Sequence, residues 1–452
     1  MFTLKCAKIC CILLSTCFLI YSMAPKINVE RFWRSEKQEG VGRRRETEMV
    51  DCGRILKGDK DYTNQFTGDN RIPMIPSLDS LDMSCRAIQN RIVPFSFNLK
   101  PLKIGTVFAR IVYRDYEFLE KQVQMSFHPQ NFFCFAIDEK ATEDFKWRIR
   151  RLGRCLPNVE VVDEQLPIDS AGHNMNFAHY NCMEKMVRVP NWAYFVLMQN
   201  HDVIGKTIYE ISRIFELLNG ANDIEIDKEF GRIDNSFQWD LRTLQLFRDE
   251  SQLSEEYLKQ ELQLAKGSVQ GSLSRKAVEW MVRVVDPFVF MEQWNEGGYG
   301  VDEQWLATFQ SNEFLGMPGH FTGQCVNETG KRTDFVSRWS KWAFPDEKDV
   351  KCGSKTIRHG VCLLGIEDLP IIAKMPNIMF NKMMPLFDYS IIECTAELLY
   401  NRTFLGQEDQ KLEEEYYENM VNVIYHKHHP EANYVLNCTP GYQIWNERKY
   451  PL

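Results

Sequence analysis

The chain has 452 residues, 44% of them hydrophobic and 26% charged, with a formal net charge of −8 and a pI near 5.7. That is an ordinary globular composition, long enough for one large domain or two medium ones. The acidic balance excludes nucleic acid as the main partner and leaves room for a local basic pocket that takes a phosphorylated ligand.

At the start of the chain Lys5 and Lys8 precede an apolar run over 9–24 that stops at Pro25-Lys26. The run falls short of the ~20 residues of a standard spanning helix, so a cleavable signal peptide competes with a signal anchor suited to a thinner early-secretory membrane. No small-x-small cleavage signature stands near Ala24, which favours the anchor. The lysines keep the short amino end cytosolic and put the rest in a lumen or outside the cell. Of fourteen cysteines, Cys6, Cys10, Cys11 and Cys17 lie in or beside this segment. The other ten are Cys52, Cys85, Cys134, Cys155, Cys182, Cys325, Cys352, Cys362, Cys394 and Cys438. An even number in a luminal chain suggests disulfides, and without a CxxC pair zinc is not expected. Sequons at Asn327, Asn401 and Asn437 agree with that compartment.

From Ala24 to about Lys103 the chain is polar and irregular, with Arg43-Arg44-Arg45 and prolines at 73, 76, 94 and 101, and reads as a stem leading to a folded domain. Regular elements follow. Apolar runs over 105–113, 131–138, 159–163 and 192–198 predict strands, and 115–127, 141–152, 170–189 and 207–218 have helical spacing. Strict alternation implies an α/β fold, a mostly parallel sheet with helices on both faces. Ligands bind at the carboxyl ends of such strands, where Asp138 and Asp202 stand. An aspartate there either contacts a ribose or uracil edge or caps the next turn. No GxGxxG, GxxxxGK[ST] or GxSxG occurs, so a dinucleotide fingerprint, a Walker loop and a serine-hydrolase elbow are all missing.

The second half carries the chemistry. In 295–309 a loop with three glycines, able to come close to a ligand, leads into Trp305, Leu306 and Phe309 at helical spacing, which puts Asp302 and Glu303 in the first turn of a helix. A carboxylate there is either catalytic or a simple response to the helix dipole. Arg338-Trp339-Ser340-Lys341-Trp342 is an aromatic and basic patch. Cys352 and Cys362 could close a small loop that holds Arg358, and Lys382 follows; held cations suit an anionic leaving group, and singly each is an ordinary surface charge. His426, His428 and His429 lack the spacing of a helical metal site and read as an exposed tail.

Several motifs occur in a characteristic order: Phe132-Phe133-Cys134-Phe135-Ala136-Ile137-Asp138, Cys155-Leu156-Pro157-Asn158-Val159, Asn181-Cys182-Met183 with Asn191-Trp192-Ala193-Tyr194, Val301-Asp302-Glu303-Gln304-Trp305-Leu306-Ala307-Thr308, Arg358-His359-Gly360-Val361-Cys362 and Asn381-Lys382. The set resembles the core-2/I-branching β-1,6-N-acetylglucosaminyltransferases, relatives of the peptide O-xylosyltransferases, over roughly Cys52 to Cys394. The resemblance implies a nucleotide-sugar glycosyltransferase of the A-type fold, in which Glu303 is the catalytic base, Arg358 and Lys382 bind the diphosphate, and Asp138 contacts the nucleotide. It places Glu225 and Trp339 on the acceptor. It pairs Cys52 with Cys394, Cys85 with Cys155, Cys134 with Cys182 and Cys352 with Cys362, leaving Cys325 and Cys438 either bridged or free. Metal independence also follows from the family, and it fits an Asp-x-Asp motif found only at Asp59-Lys60-Asp61 in the stem. The implied layout is a cytosolic tail at 1–8, a signal anchor at 9–24, a stem at 25–50, a luminal catalytic domain at 51–400 and a C-terminal extension at 401–452.

The expected activity is inverting transfer of N-acetylglucosamine from UDP-GlcNAc in β-1,6 linkage to a glycoprotein glycan, at the Golgi membrane, with a homodimer left open. Protein O-xylosyl transfer is the nearest alternative. A luminal carbohydrate-binding protein that has lost turnover, or a glycosidase with a second carboxylate, would be rivals of another class. Two departures bear on the acceptor. Asn200-His201-Asp202-Val203-Ile204-Gly205 lacks the family's proline, and Lys266-Gly267-Ser268-Val269-Gln270-Gly271 lacks the aromatic after Gly-Ser.

Overall fold

A computed structural model of the chain describes residues 42–77, 80–93, 99–229, 231–342 and 352–438. The apolar run at 9–24 lies outside them, and no helix among them is long and apolar enough to cross a membrane.

In chain order the first strands are β1 (Thr106–Val112), β2 (Phe132–Ile137), β3 (Val159–Val161), β4 (Tyr194–Met198), β5 (Val203–Ile204) and β6 (Asp227–Lys228). They are followed by β7 (Ala265–Lys266), β8 (Ser272–Ser274), β9 (Arg338–Ser340), β10 (Ile357–Arg358), β11 (Val361–Cys362) and β12 (Met379–Asn381). The central sheet runs β3-β2-β1-β4-β8, parallel except for β8. Every residue of β1 is buried, because helices cover both faces of the sheet. Smaller sheets are β5-β12-β9, β6-β7 and β10-β11.

Helices α1 (Cys52–Leu56), α2 (Lys60–Thr63) and α3 (Cys85–Ile92) precede the sheet, and α4 (Tyr116–Ser126), α5 (Glu143–Cys155), α6 (Met175–Met186) and α7 (Ile208–Leu218) alternate with its strands. Thr142 caps α5 by accepting from Phe145 N–H, and Thr207 with Glu210 forms a capping box on α7, so local sequence sets where both begin. Beyond them lie α8 (Arg275–Arg283), α9 (Phe288–Asn295), α10 (Trp305–Ser311), α11 (Tyr389–Phe404) and α12 (Val421–His428). The aromatic core sits between the sheet and α8–α10, where Trp305, Phe290 and Phe309 are wholly buried.

Three expectations change. The supposed stem is folded well before Lys103: Cys52, Ile55, Ile88 and Ile92 are buried, Arg43 and Arg44 pair with Glu397 and Glu117, and α1 is tied to α11 by Cys52–Cys394. Those apolar positions have helical spacing only within helices of five to eight residues, separated by polar and proline-containing stretches, so the segment looked irregular. The helix expected over 170–189 starts only at Met175, because Gly172 and Asn174 take positive φ. The three histidines are not a tail. His426 and His428 belong to α12, and His429 stacks on Tyr425.

The four implied disulfides form, and Cys325–Cys438 is a fifth. Exposed Asn327 and Asn437 flank that bridge, whereas Asn401 is half-buried within α11.

Candidate active site

In the sheet β2 and β3 lie on one side of β1 and β4 on the other, which makes the β1/β4 boundary a topological switch point. A cleft of about 1870 Å³ opens there, at the carboxyl ends of β1, β2 and β4. It is lined by the six residues to which the resemblance gives a catalytic or binding role: Asp138, Glu225, Glu303, Trp339, Arg358 and Lys382. A smaller cavity of about 500 Å³ against the Cys325–Cys438 bridge contains none of them.

Asp138 follows β2 directly and is 2% exposed; its carboxylate accepts from Lys140 N–H at 3.1 Å and pairs with the Lys140 ammonium at 3.1 Å. Asp202 has the other role open to such an aspartate. It is fully buried outside the cleft, accepts from Gln199 N–H at 2.6 Å, and accepts from Asn381 Nδ2 at 2.8 Å, fixing the residue before Lys382. Arg110 in β1 braces the same turn by donating to the carbonyls of Gln199, Asn200 and Asp202.

The opposite wall is cationic. Arg358 and Val361 pair across β10-β11, and the connecting His359 and Gly360 have φ of 51° and 72°. That is the two-residue turn whose twist matches a hairpin, which explains why Arg-His-Gly-Val-Cys is a unit. The Cys352–Cys362 bridge closes its base. Arg358 Nη1 lies 3.3 Å from Met384 Sδ. Among the described residues no carboxylate pairs with Arg358 or Lys382. Burial, reinforced by Arg338 and Arg358 nearby, pushes the Lys382 ammonium down to about 8. Arg338, a cation the sequence reading left within its basic patch, is buried beside Asp202 with Nε 3.4 Å from Oδ1. A half-buried cluster of like charge, in which Arg338 alone has a carboxylate close by, is what a bound polyanion would relieve.

Glu303 lines the same cleft from the loop before α10; it and Asp302 precede the helix rather than forming its first turn. Arg232 donates from Nη2 to Glu303 Oε2 at 2.8 Å and from Nη1 to Gly300 O at 2.9 Å. Oε1 receives no donor among the described residues. The glycine loop reaches the cleft, which Gly300 lines, and Gly300 at φ 64° also has the Arg232 guanidinium against its backbone. Asp302 is pushed up to about 7, by burial first and the neighbouring Glu303 second. Its carboxyl lies under Gly172, where a Cβ would be 2.2 Å from Oδ1, so it supports that loop while also lining the cleft.

Gly267 brings the two acidic sides of the cleft together. Its N–H donates to Glu303 O at 2.9 Å, and a Cβ in its place would stand 1.9 Å from Glu225 O. Burial holds the Glu225 carboxyl above its usual range, opposed by Arg332, whose Nη1 lies 3.4 Å from Oε1. Trp339, half-buried on β9, packs edge-on against Phe380 at 6.4 Å and presents an aromatic surface to the cleft. Arg232 and Gly267 escaped the sequence reading. A glycine before serine was the only signal for the second, and nothing local marked the first.

No group of His, Cys, Asp or Glu among the described residues is arranged to hold a metal ion. The Asp-x-Asp at Asp59 is structural: Asp59 caps α2 through Tyr62 N–H and pairs with Arg54.

Residues 106–373 match the family model described as Core-2/I-Branching enzyme. The chain is 24% identical over 375 residues to a Bovine herpesvirus 4 (strain LVR140) protein named beta-1,3-galactosyl-O-glycosyl-glycoprotein beta-1,6-N-acetylglucosaminyltransferase, covering 79% of this chain and 84% of the relative. It is likewise 24% identical over 381 residues to the Ovis aries protein of that name numbered 3, with the same coverage. Among solved structures, the mannosyltransferase Ktr4p from S. cerevisiae aligns at a TM-score of 0.22 and 12% identity over 62% of this chain and 79% of that one, too loose a likeness to bear on function. The family match takes in β1 to β11 and Asp138, Glu225, Glu303, Trp339 and Arg358 of the cleft, and on it the chain belongs to the Core-2/I-branching enzymes.

Proposed function

We propose that this protein is an inverting glycosyltransferase that moves N-acetylglucosamine from UDP-GlcNAc to a hydroxyl of a glycoprotein glycan, forming a β-1,6 branch. The observation that carries this reading is one cleft lined both by Glu303 and by a cationic group of Arg338, Arg358 and Lys382, in which Arg358 and Lys382 pair with no carboxylate among the described residues.

A sugar hydroxyl is a poor nucleophile near neutral pH, so a carboxylate within hydrogen-bond reach accepts its proton as it attacks the anomeric carbon. Glu303 Oε1 fills that place while Arg232 holds Oε2. Attack opposite the departing UDP turns an α-linked donor into a β-linked product. As the bond to UDP breaks, charge gathers on the distal phosphate. Arg358 meets it with a planar fork and Lys382 with a point charge, the part a divalent ion plays in other nucleotide-sugar enzymes. Asp138 takes the nucleotide, Trp339 stacks on a sugar face, and Glu225 accepts from acceptor hydroxyls. The parallel sheet with its switch point suits the nucleotide-sugar A-type fold. Five disulfides and exposed sequons suit an oxidising lumen, consistent with a Golgi enzyme anchored through 9–24.

The test is transfer from radiolabelled UDP-GlcNAc, beside UDP-xylose, to core-1 O-glycan and peptide acceptors. Wild-type protein should label the glycan from UDP-GlcNAc. Glu303→Gln should lose about 10²–10⁴ in kcat with UDP affinity nearly unchanged. Transfer of xylose to peptide serine would replace the donor assignment, and a fully active Glu303→Gln would remove the base.

A further inference from the structure

The loop between β3 and α6 cradles the segment that carries Glu303. Ala171 O accepts from Gly300 N–H at 2.7 Å and Val301 N–H at 3.2 Å. Asn174 N–H donates to Asn295 Oδ1 at 2.8 Å, Asn295 Nδ2 donates back to Asn174 Oδ1 at 3.1 Å, and Asp302 lies beneath Gly172. The remaining link is His173. Its Nδ1 is 2.8 Å from Asp169 Oδ2 and its Nε2 is 2.8 Å from the backbone oxygen of Gly297.

Both ring nitrogens face atoms that only accept. A neutral imidazole carries one N–H and can satisfy one of these contacts, setting a lone pair against oxygen at the other. The doubly protonated ring satisfies both. Asp169 is itself fixed as an acceptor, since its Oδ1 takes Ala171 N–H at 2.9 Å and His173 N–H at 3.2 Å.

We propose that protonated His173 is a positioning residue for the transfer reaction: as an imidazolium it clamps Gly297, and through that loop it fixes the approach of Glu303. The charged group that faces the ring is Asp169 on its own loop; Asp302 on the clamped one, itself pushed up to about 7, adds to the cation only as it ionises. The hydrogen bond to Asp169, followed by that to Gly297, holds the imidazole above its usual 6.5. The clamp is therefore whole in mildly acid solution and loses one of its two bonds as pH rises through the raised value. Transfer should accordingly carry an alkaline limb set by His173.

This inference rests on Glu303 as the base, and its test separates the two. His173→Gln, which keeps one donor and no charge, is compared with wild type by kcat over about pH 5.5–8.5. The variant should be roughly ten- to a hundredfold slower at the acid end, with unchanged UDP affinity and with the His173-dependent alkaline limb gone. An identical profile in wild type and variant overturns the proposal while leaving Glu303 untouched, since an active Glu303→Gln is a separate result. If His173→Gln fails to fold, NMR titration of the His173 ring in the intact protein decides. A ring that titrates below 6.5 sinks the clamp, and one that stays charged above it supports it.

Discussion

Lys382 offers the sharpest test of the cationic wall, because in the empty protein its charge is a burden. Its ammonium falls from 10.5 to about 8 through burial, with Arg338 and Arg358 adding repulsion. At 1.36 kcal/mol per pH unit, that drop sets the cost of the charged form near 3 kcal/mol at neutral pH, as an upper figure for a group still in part reached by solvent. Replacing it by methionine keeps the length and removes the charge. The ligand-free variant should be more stable than wild type at pH 7, by on the order of 1–3 kcal/mol, or a few degrees in Tm. The sign follows from proton counts. Between pH 8 and 10.5 the unfolded chain binds the extra proton, so wild-type stability rises with pH through that window and the advantage of Lys382→Met fades there. Bound UDP should reverse the order, because it turns the burden into a charge-assisted contact worth about 1.5–3 kcal/mol, a ten- to hundredfold loss of UDP affinity in the variant. Thermal denaturation with and without UDP, at pH 7 and above pH 9, reads both effects. A Lys382→Met protein less stable than wild type when empty, yet equally stabilised by UDP, would refute the cluster as a diphosphate site.

Other outcomes follow from the same geometry. Gly267→Ala puts a methyl 1.9 Å from the Glu225 carbonyl oxygen, backbone that cannot step aside, and should cost about 1–3 kcal/mol in Tm-derived stability and more than tenfold in kcat, with UDP binding within a fewfold; unchanged kinetics would show that Glu225 and Glu303 are not held through this residue. Removing the Cys352–Cys362 bridge, ten residues apart, frees the Arg358 hairpin, so donor KM should rise severalfold. Removing Cys52–Cys394, 342 residues apart, should instead lower Tm more and leave KM nearly unchanged. The opposite pattern would place the shorter bridge outside the donor site. A glycan mapping of the secreted protein should find Asn327 and Asn437 occupied before half-buried Asn401, which lies inside α11.

How legible the site was depended on how local each signal is. The small loop holding Arg358 could be read, since the two cysteines that close it stand within eleven positions, although the hairpin and its positive-φ turn came only with the structure. The role of Asp202 could not. A strand-end aspartate that binds nucleotide and one that caps its own turn share the same sequence, and only the 2.8 Å contact with Asn381, 179 positions away, separates them. The lead-in around Cys52 misread as stem for a similar reason, because its helices are short and, besides touching each other, pack on elements far along the chain, α1 on α11 and α3 on α4 and α5.

By itself the sequence determined the alternation of β1 to β4 with α4 to α7, because burial on both faces demands uninterrupted apolar runs and helices demand their own spacing, and both periods are local properties. The ordered motifs added the family and four of the five bridges. Only the tertiary structure decided that Arg232 holds one oxygen of Glu303, that Gly267 links Glu303 to Glu225, that Arg338 joins Arg358 and Lys382, and that His173 stands between two acceptors. Those meetings are made by strand ends and loops tens to hundreds of residues apart, brought together by the pairing order of the sheet, and a period measured along one segment holds no record of them.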